Sequence, residues 1–90
     1  MSQPYLEVTY RRGRAFAAYY YLTARPGKKS FKSQRIEPGL VVDYARDGEA
    51  IGIEITAPSV ITLAMINRLL KTLGHPPLKR AEFEPLRAAS

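Results

Sequence analysis

The stretch from Pro38 to Ser59, PGLVVDYARDGEAIGIEITAPS, constrains the fold of this chain more than any other. Leu40, Val42 and Tyr44 alternate with Val41, Asp43 and Ala45, and Ile51, Ile53 and Ile55 alternate with Gly52, Glu54 and Thr56. A period of two across runs rich in β-branched residues marks half-buried strands. Asp47-Gly48 lies between the two runs. An Asp-Gly pair is a strong signal for a two-residue hairpin, because a type I′ turn needs positive φ at both central residues. Such a turn sets Tyr44 opposite Ile51, Val42 opposite Ile53 and Leu40 opposite Ile55. All six apolar side chains then share one face.

Three further strands, the last of them weaker, are expected ahead of this hairpin. Leu6, Val8 and Tyr10 alternate with Glu7 and Thr9 up to a turn at Arg11-Arg12-Gly13-Arg14. In AFAAYYYL, residues 15–22, one face holds Phe16, Ala18, Tyr20 and Leu22 and the other Ala15, Ala17, Tyr19 and Tyr21. Both faces are apolar, so the pattern alone leaves open which is buried, and an apolar outer face suits a second subunit. A basic loop over Thr23–Ser30 leads to a weaker strand, Phe31–Ile36, and Glu37-Pro38-Gly39 turns it into the hairpin.

After Ser59 the period changes. Leu63, Ile66, Leu70 and Leu73 recur at three and four, widened by Ile61, Met65 and Leu69, which predicts an amphipathic helix. Ser59 suits its N-cap, or Pro58 its first residue, and Gly74 followed by Pro76-Pro77 stops it. The expected fold is α+β: an antiparallel β-meander of four to five strands, packed on one face by a C-terminal amphipathic helix. Residues 1–78 form the single domain in this reading. Residues 79–90 are a tail, with a helical turn or two around Pro85.

The net charge of +6 is unevenly placed. From Val8 to Ile36 there are eight bases and no acid, while the other 61 residues carry six bases and eight acids. A run of this kind raises the question of a polyanionic partner. There is no cysteine, which excludes disulfides and thiolate chemistry. The segment MSQPYLE has no leader-like core, and no apolar run approaches the roughly 20 residues of a membrane span. A cytoplasmic protein that makes no membrane contact is expected.

The run EPGLVVDYARDGEAIGIEITAPS resembles the core of the domain-of-unknown-function 2283 family of small prokaryotic proteins. Tyr10 and residues 15–22 resemble its opening motif more weakly, and Arg11, Arg14 and Phe16 stand where relatives often carry acids. The resemblance extends over roughly residues 6–60 and implies a small meander with a helix. It implies no established activity. The position of relatives beside small toxin-like genes makes them antitoxin candidates.

Three functional readings follow. In the first, the chain is a small protein-interaction module and a homodimer, antitoxin-like or regulatory toward another protein, with Tyr19 and Tyr21 as interface residues. In the second, Arg11, Arg12, Arg14, Lys28, Lys29, Lys32 and Arg35 neutralise nucleic-acid phosphates while Tyr19, Tyr20, Tyr21 and Phe31 offer rings for stacking. A solvated basic rim is the plainer account of these residues, and no nucleic-acid-binding signature accompanies them. In the third, Asp43 and Glu54, diagonal neighbours on one hairpin face at roughly 5–8 Å, share a proton or a cation. Their plainer role is to keep the outer face wet. His75 is the only histidine and follows the helix stop, where a dipole contact explains it better than catalysis. The first reading is preferred: no enzyme, no cofactor and no metal.

Overall fold

The computed structural model describes residues 4–22 and 29–87. Five strands form one antiparallel sheet: β1 (Tyr5–Arg11), β2 (Arg14–Tyr21), β3 (Lys32–Glu37), β4 (Leu40–Tyr44) and β5 (Ala50–Ile55). A 3₁₀ turn at Pro58–Val60 precedes the helix α1 (Leu63–Thr72), and a short helix α2 (Arg80–Phe83) runs into a 3₁₀ turn at Glu84–Leu86.

The sheet is not the expected meander. Its order is β1-β2-β5-β4-β3, so β5 lies between β2 and β4 and the four strands β2 to β5 make a Greek key. Burial supplies the reason. Residues 32–36 of β3 are all exposed and neither face of that strand is apolar, so it belongs at an edge. In β5, Ile53 and Ile55 are fully buried, which requires a strand on each side.

The expected register holds along most of the hairpin, by a different route. Leu40 pairs with Ile55, Val42 with Ile53 and Asp43 with Gly52, but Tyr44 pairs with Ala50. The turn is not type I′. Gly48 N–H donates to the Ala45 carbonyl (2.9 Å), Ala45 N–H donates to the Glu49 carbonyl (2.8 Å), and Gly48 alone of the loop has positive φ. This is a three-residue loop, Arg46 to Gly48, which spares Asp47 the left-handed region and lets its Oδ1 accept from Glu49 N–H at 3.0 Å. The extra loop residue would slip the register by one. A bulge at Ile51 restores it from Asp43 onward.

The other two hairpins repeat the device. Arg12 and Gly13, at φ 54° and 79°, form the type I′ turn, and a bulge at Phe16 follows. Pro38-Gly39, with Gly39 at φ 91°, suits a type II turn, and Ile36 is the bulged residue before it. A side chain at Gly39 would also press on Ile61, whose Cδ1 lies 3.0 Å from the position of a Cβ.

One hydrophobic cluster joins Ala18, Tyr20 and Leu22 of the β2 segment, Leu40 and Val42 of β4, and Ile53 and Ile55 of β5 with Ile66, Leu69 and Leu70 of α1. Leu6, Val8, Tyr44 and Ala50 border it. This decides which face of β2 is inner. Ala50, the partner of Tyr44, borders the cluster, and the bulged Ile51 is buried outside it. Leu78, Phe83 and Leu86 belong to the same cluster, so the segment read as a tail from residue 79 contributes apolar side chains to the core.

The helix begins later than Ser59. Pro58 opens the 3₁₀ turn, Ile61 is extended and buried, and Thr62 is the N-cap, its hydroxyl accepting from Met65 N–H at 3.1 Å. At the other end His75 N–H donates to the Leu70 carbonyl and Gly74 N–H to that of Lys71, a Schellman closure with Gly74 at φ 79°. Asn67 then ties α1 to the following segment. Its Nδ2 donates to the Leu78 carbonyl (3.1 Å) and its Oδ1 accepts from Leu78 N–H (2.8 Å).

Two stability comparisons check these assignments by urea unfolding. Thr62→Ala should cost about 1 kcal/mol and Ser59→Ala under about 0.5 kcal/mol, because only the former removes a cap. Asn67→Ala should cost about 2 kcal/mol, since it leaves both backbone groups of buried Leu78 without their partner.

A tyrosine and aspartate row on the open sheet face

The register fixes what the sheet face opposite the core carries. Cross-strand partners share a face, so one row reads Tyr5 (β1), Tyr21 (β2), Gly52 (β5), Asp43 (β4) and Ser33 (β3). The next row reads Glu7, Tyr19, Glu54, Val41 and Arg35. Glu7, Ser33, Arg35 and Glu54 are exposed, and Tyr19, Tyr21, Val41 and Asp43 are half-buried.

Contacts run unbroken across the first row. The Tyr5 and Tyr21 rings stack at 4.6 Å and 17°, and Tyr21 meets Tyr19 edge-on at 4.7 Å. Tyr19 reaches diagonally over β5, where its hydroxyl donates to Asp43 Oδ2 at 2.8 Å. Ser33 Oγ donates to Asp43 Oδ1 at 2.5 Å, and the Tyr21 hydroxyl donates to Glu7 Oε1 at 3.1 Å. Gly52 makes the crossing possible. A Cβ there would lie 2.1 Å from the Tyr19 hydroxyl oxygen and 2.3 Å from Cζ. A mid-strand glycine is otherwise unfavourable, and here it accommodates a ring lying flat on the backbone.

Burial is the main cause that pushes the Tyr19 hydroxyl well above its usual pKa, followed by the hydrogen bond to Asp43 and the charges of Asp43, Tyr21 and Glu54. The hydrogen bond to Glu7 is the first cause for Tyr21 and burial the second, in the same direction. On the core side, burial raises Tyr20, helped by Glu82. The neutral hydroxyl is thus the form the fold holds.

Asp43 faces Gly52, as the hairpin register requires, with Glu54 on the same face. Both Asp43 oxygens accept hydrogen bonds from neutral hydroxyls. Among the described residues no group of three His, Asp or Glu side chains is placed to hold a metal ion. His75 is half-buried and closes the helix end through its backbone.

Topology divides the basic run. Arg11, Arg12 and Arg14 surround the β1–β2 turn at one edge of the sheet. Lys32 and Arg35 lie on β3, the opposite edge, four strand spacings or about 19 Å away. Lys32 pairs with Tyr44 and Arg35 with Val41, which puts those two bases on opposite faces. Lys29 is exposed, and Lys28, with the Thr23–Lys28 part of the basic loop, lies outside the described residues. The only hint of this division in the sequence is the polarity of residues 32–35, because consecutive strands normally neighbour each other. The row itself had a legible signal in a glycine inside a strand pattern near three tyrosines.

These features define a small α+β protein whose Greek-key sheet carries an aromatic and acidic open face. Residues 17–58 match the family model described as Protein of unknown function (DUF2283). The match covers the Greek key from Ala17 of β2 to Pro58. It includes Tyr19, Tyr21, Asp43 and Gly52 and leaves out β1 and α1. No curated protein and no solved structure matches the chain. Among the described residues no helix is long and apolar enough to cross a membrane.

Gly52→Ala should destabilise by about 1–3 kcal/mol through overpacking against Tyr19. In a Tyr19→Ala background most of that cost should vanish, a coupling that a double-mutant cycle in urea reads directly. Stability should also fall as pH rises above about 10. A hydroxyl whose folded pKa exceeds its unfolded value contributes stability below that value and loses it as pH climbs. Tyr19→Phe should flatten this alkaline decline in a melting-temperature series.

Proposed function

We propose that this chain is a small interaction module that pairs with a second copy through the open sheet face, with α1 laid on the opposite face. The observation that carries the reading is the pattern of that face. It presents three tyrosine rings and Val41, framed by Glu7 at one edge and Arg35 at the other. An aromatic surface with a charged rim suits a protein interface.

The pattern also selects a symmetry. Two sheets packed face to face align their strands within about 30°. A two-fold axis parallel to the strands places β1 of one copy over β3 of the other. Arg35 then meets the second copy's Glu7, Val41 meets its Tyr19, and Asp43 meets its Tyr21. A two-fold axis across the strands would instead stack Glu7 on Glu7 and Arg35 on Arg35. The strand-parallel dimer is the charge-complementary one, and its one repulsive contact is Glu54 against Glu54 at the axis.

A regulatory or antitoxin-like role toward another protein, in the cytoplasm, extends this reading and draws on the family resemblance. A non-enzymatic role is favoured because Asp43, one of the two carboxylates considered for chemistry, already holds Tyr19 and Ser33.

Sedimentation equilibrium over a wide concentration range tests the dimer. Arg35→Glu and Glu7→Arg should each weaken it tenfold or more, since like charges across an interface cost several kcal/mol. The double variant should recover affinity, and Glu54→Gln should tighten the dimer. A monomer at every concentration refutes pairing through this face. A dimer indifferent to both charge reversals refutes the strand-parallel register.

A further inference from the structure

The β1–β2 turn breaks local rules in a way that folding does not require. Both central residues of a type I′ turn need positive φ, a position that favours Gly, Asn or Asp. Here Arg12 takes it, at φ 54°. Arg11 and Arg14 are direct cross-strand partners, a like-charge pair that opposes the hairpin. Two residues on, the bulge turns Phe16 outward and leaves it 52% exposed, and the Arg11 guanidinium lies 4.4 Å above its ring. Arg11, Arg12, Arg14, Ala15 and Phe16 line one open groove. All these residues fall outside the part of the chain that matches the family model. Local choices that oppose stability and converge on one groove are what a binding site looks like.

We propose that this hairpin tip binds single-stranded nucleic acid, the three guanidinium groups holding phosphates and Phe16 carrying a stacked base. Guanidinium forks match phosphate oxygens two at a time and also stack on flat rings. A phosphodiester strand offers both chemistries at once, alternating anions with bases that have π-faces. An acidic peptide would satisfy the arginines but offers no flat ring to stack on the exposed surface of Phe16. The site is independent of the dimer proposed above, since the turn lies at the β1–β2 edge and its residues are not part of the paired rows.

The test is fluorescence anisotropy with a short labelled single-stranded oligonucleotide, as RNA and as DNA, between about 50 and 200 mM salt. The main variant is Arg12→Gly, which removes one charge and suits the left-handed position better. Binding should weaken severalfold, with the salt slope lower by about 0.7, the share of one single-strand phosphate contact. The melting temperature should stay the same or rise, which a folding defect cannot produce. Arg11→Thr with Arg12→Gly and Arg14→Thr should reduce the slope by about 2. Phe16→Thr should weaken binding about tenfold through lost stacking. No binding at low salt overturns the proposal. Binding that survives the triple variant also overturns it and moves the site to the other corner, where Arg46 covers Phe31 beside Lys32. Polyglutamate competing as well as an oligonucleotide of equal charge would replace nucleic acid with an acidic protein segment.

Discussion

The structure depends on β5 serving two surfaces at once. On one side Ile53 and Ile55 are buried completely; on the other, Gly52 is bare enough for the Tyr19 ring to cross it. Neither β3 nor β1 could take the central place. Residues 32–36 of β3 are exposed throughout, and β1 has only Leu6 and Val8 directed at the core. Because β5 joins β2 to β4, it also holds the two hairpin systems together. The pairing of Ala18 with Ile55 is far longer in range than any turn and carries the loop-closure cost of the Greek key. Burial of two isoleucines and the Tyr19 to Asp43 bond are the gains that offset it, one on each face.

The hairpin shows how much of such a design a sequence exposes. The pairing of Val42 with Ile53 and Leu40 with Ile55 was readable from alternation alone, because a slip would turn every apolar residue to water. The turn type was not. Asp47 avoids positive φ, the loop gains a residue, and the Ile51 bulge absorbs it. Pattern fixed the outcome and left the local route free. Strand order was hidden for a related reason: adjacency in sequence favours a meander, and only the polarity of LysSerGlnArg at 32–35 argues for an edge. Which face of β2 is buried was undecidable by hydropathy, since alanines and aromatics occupy both. Gly52 is the residue that bears on it, by admitting Tyr19 on the open side. Thr62 displaced Ser59 as the N-cap because Pro58 starts a separate 3₁₀ turn, which uses up the first possible helical positions.

Charge follows topology more closely than sequence. The run from Val8 to Ile36 has no acid, yet Arg11, Arg12 and Arg14 part from Lys32 and Arg35 to opposite edges of the sheet, while Glu7, Asp43 and Glu54 gather on the open face between them. A net charge of +6 therefore describes no single surface of this molecule. It is the sum of an acidic, aromatic face and basic corners. Those surfaces suit different partners, so a protein contact on one and a polyanion on another are compatible.

The two edge strands bear on how a second copy could approach. Unpaired edges invite strand addition, and proteins discourage it with charge and with bulges that twist the edge away. β3 carries Lys32, Arg35 and Glu37 with a bulge at Ile36, and β1 carries Glu7 and Arg11 beside the Phe16 bulge of its partner strand. Edge-to-edge growth would also be open-ended unless closed by symmetry. Pairing through the face closes on itself, and there the charges frame a row of rings. Its rings are held in place by Asp43 and Glu7, so a partner meeting them finds side chains already ordered and little further rotamer freedom to lose on binding.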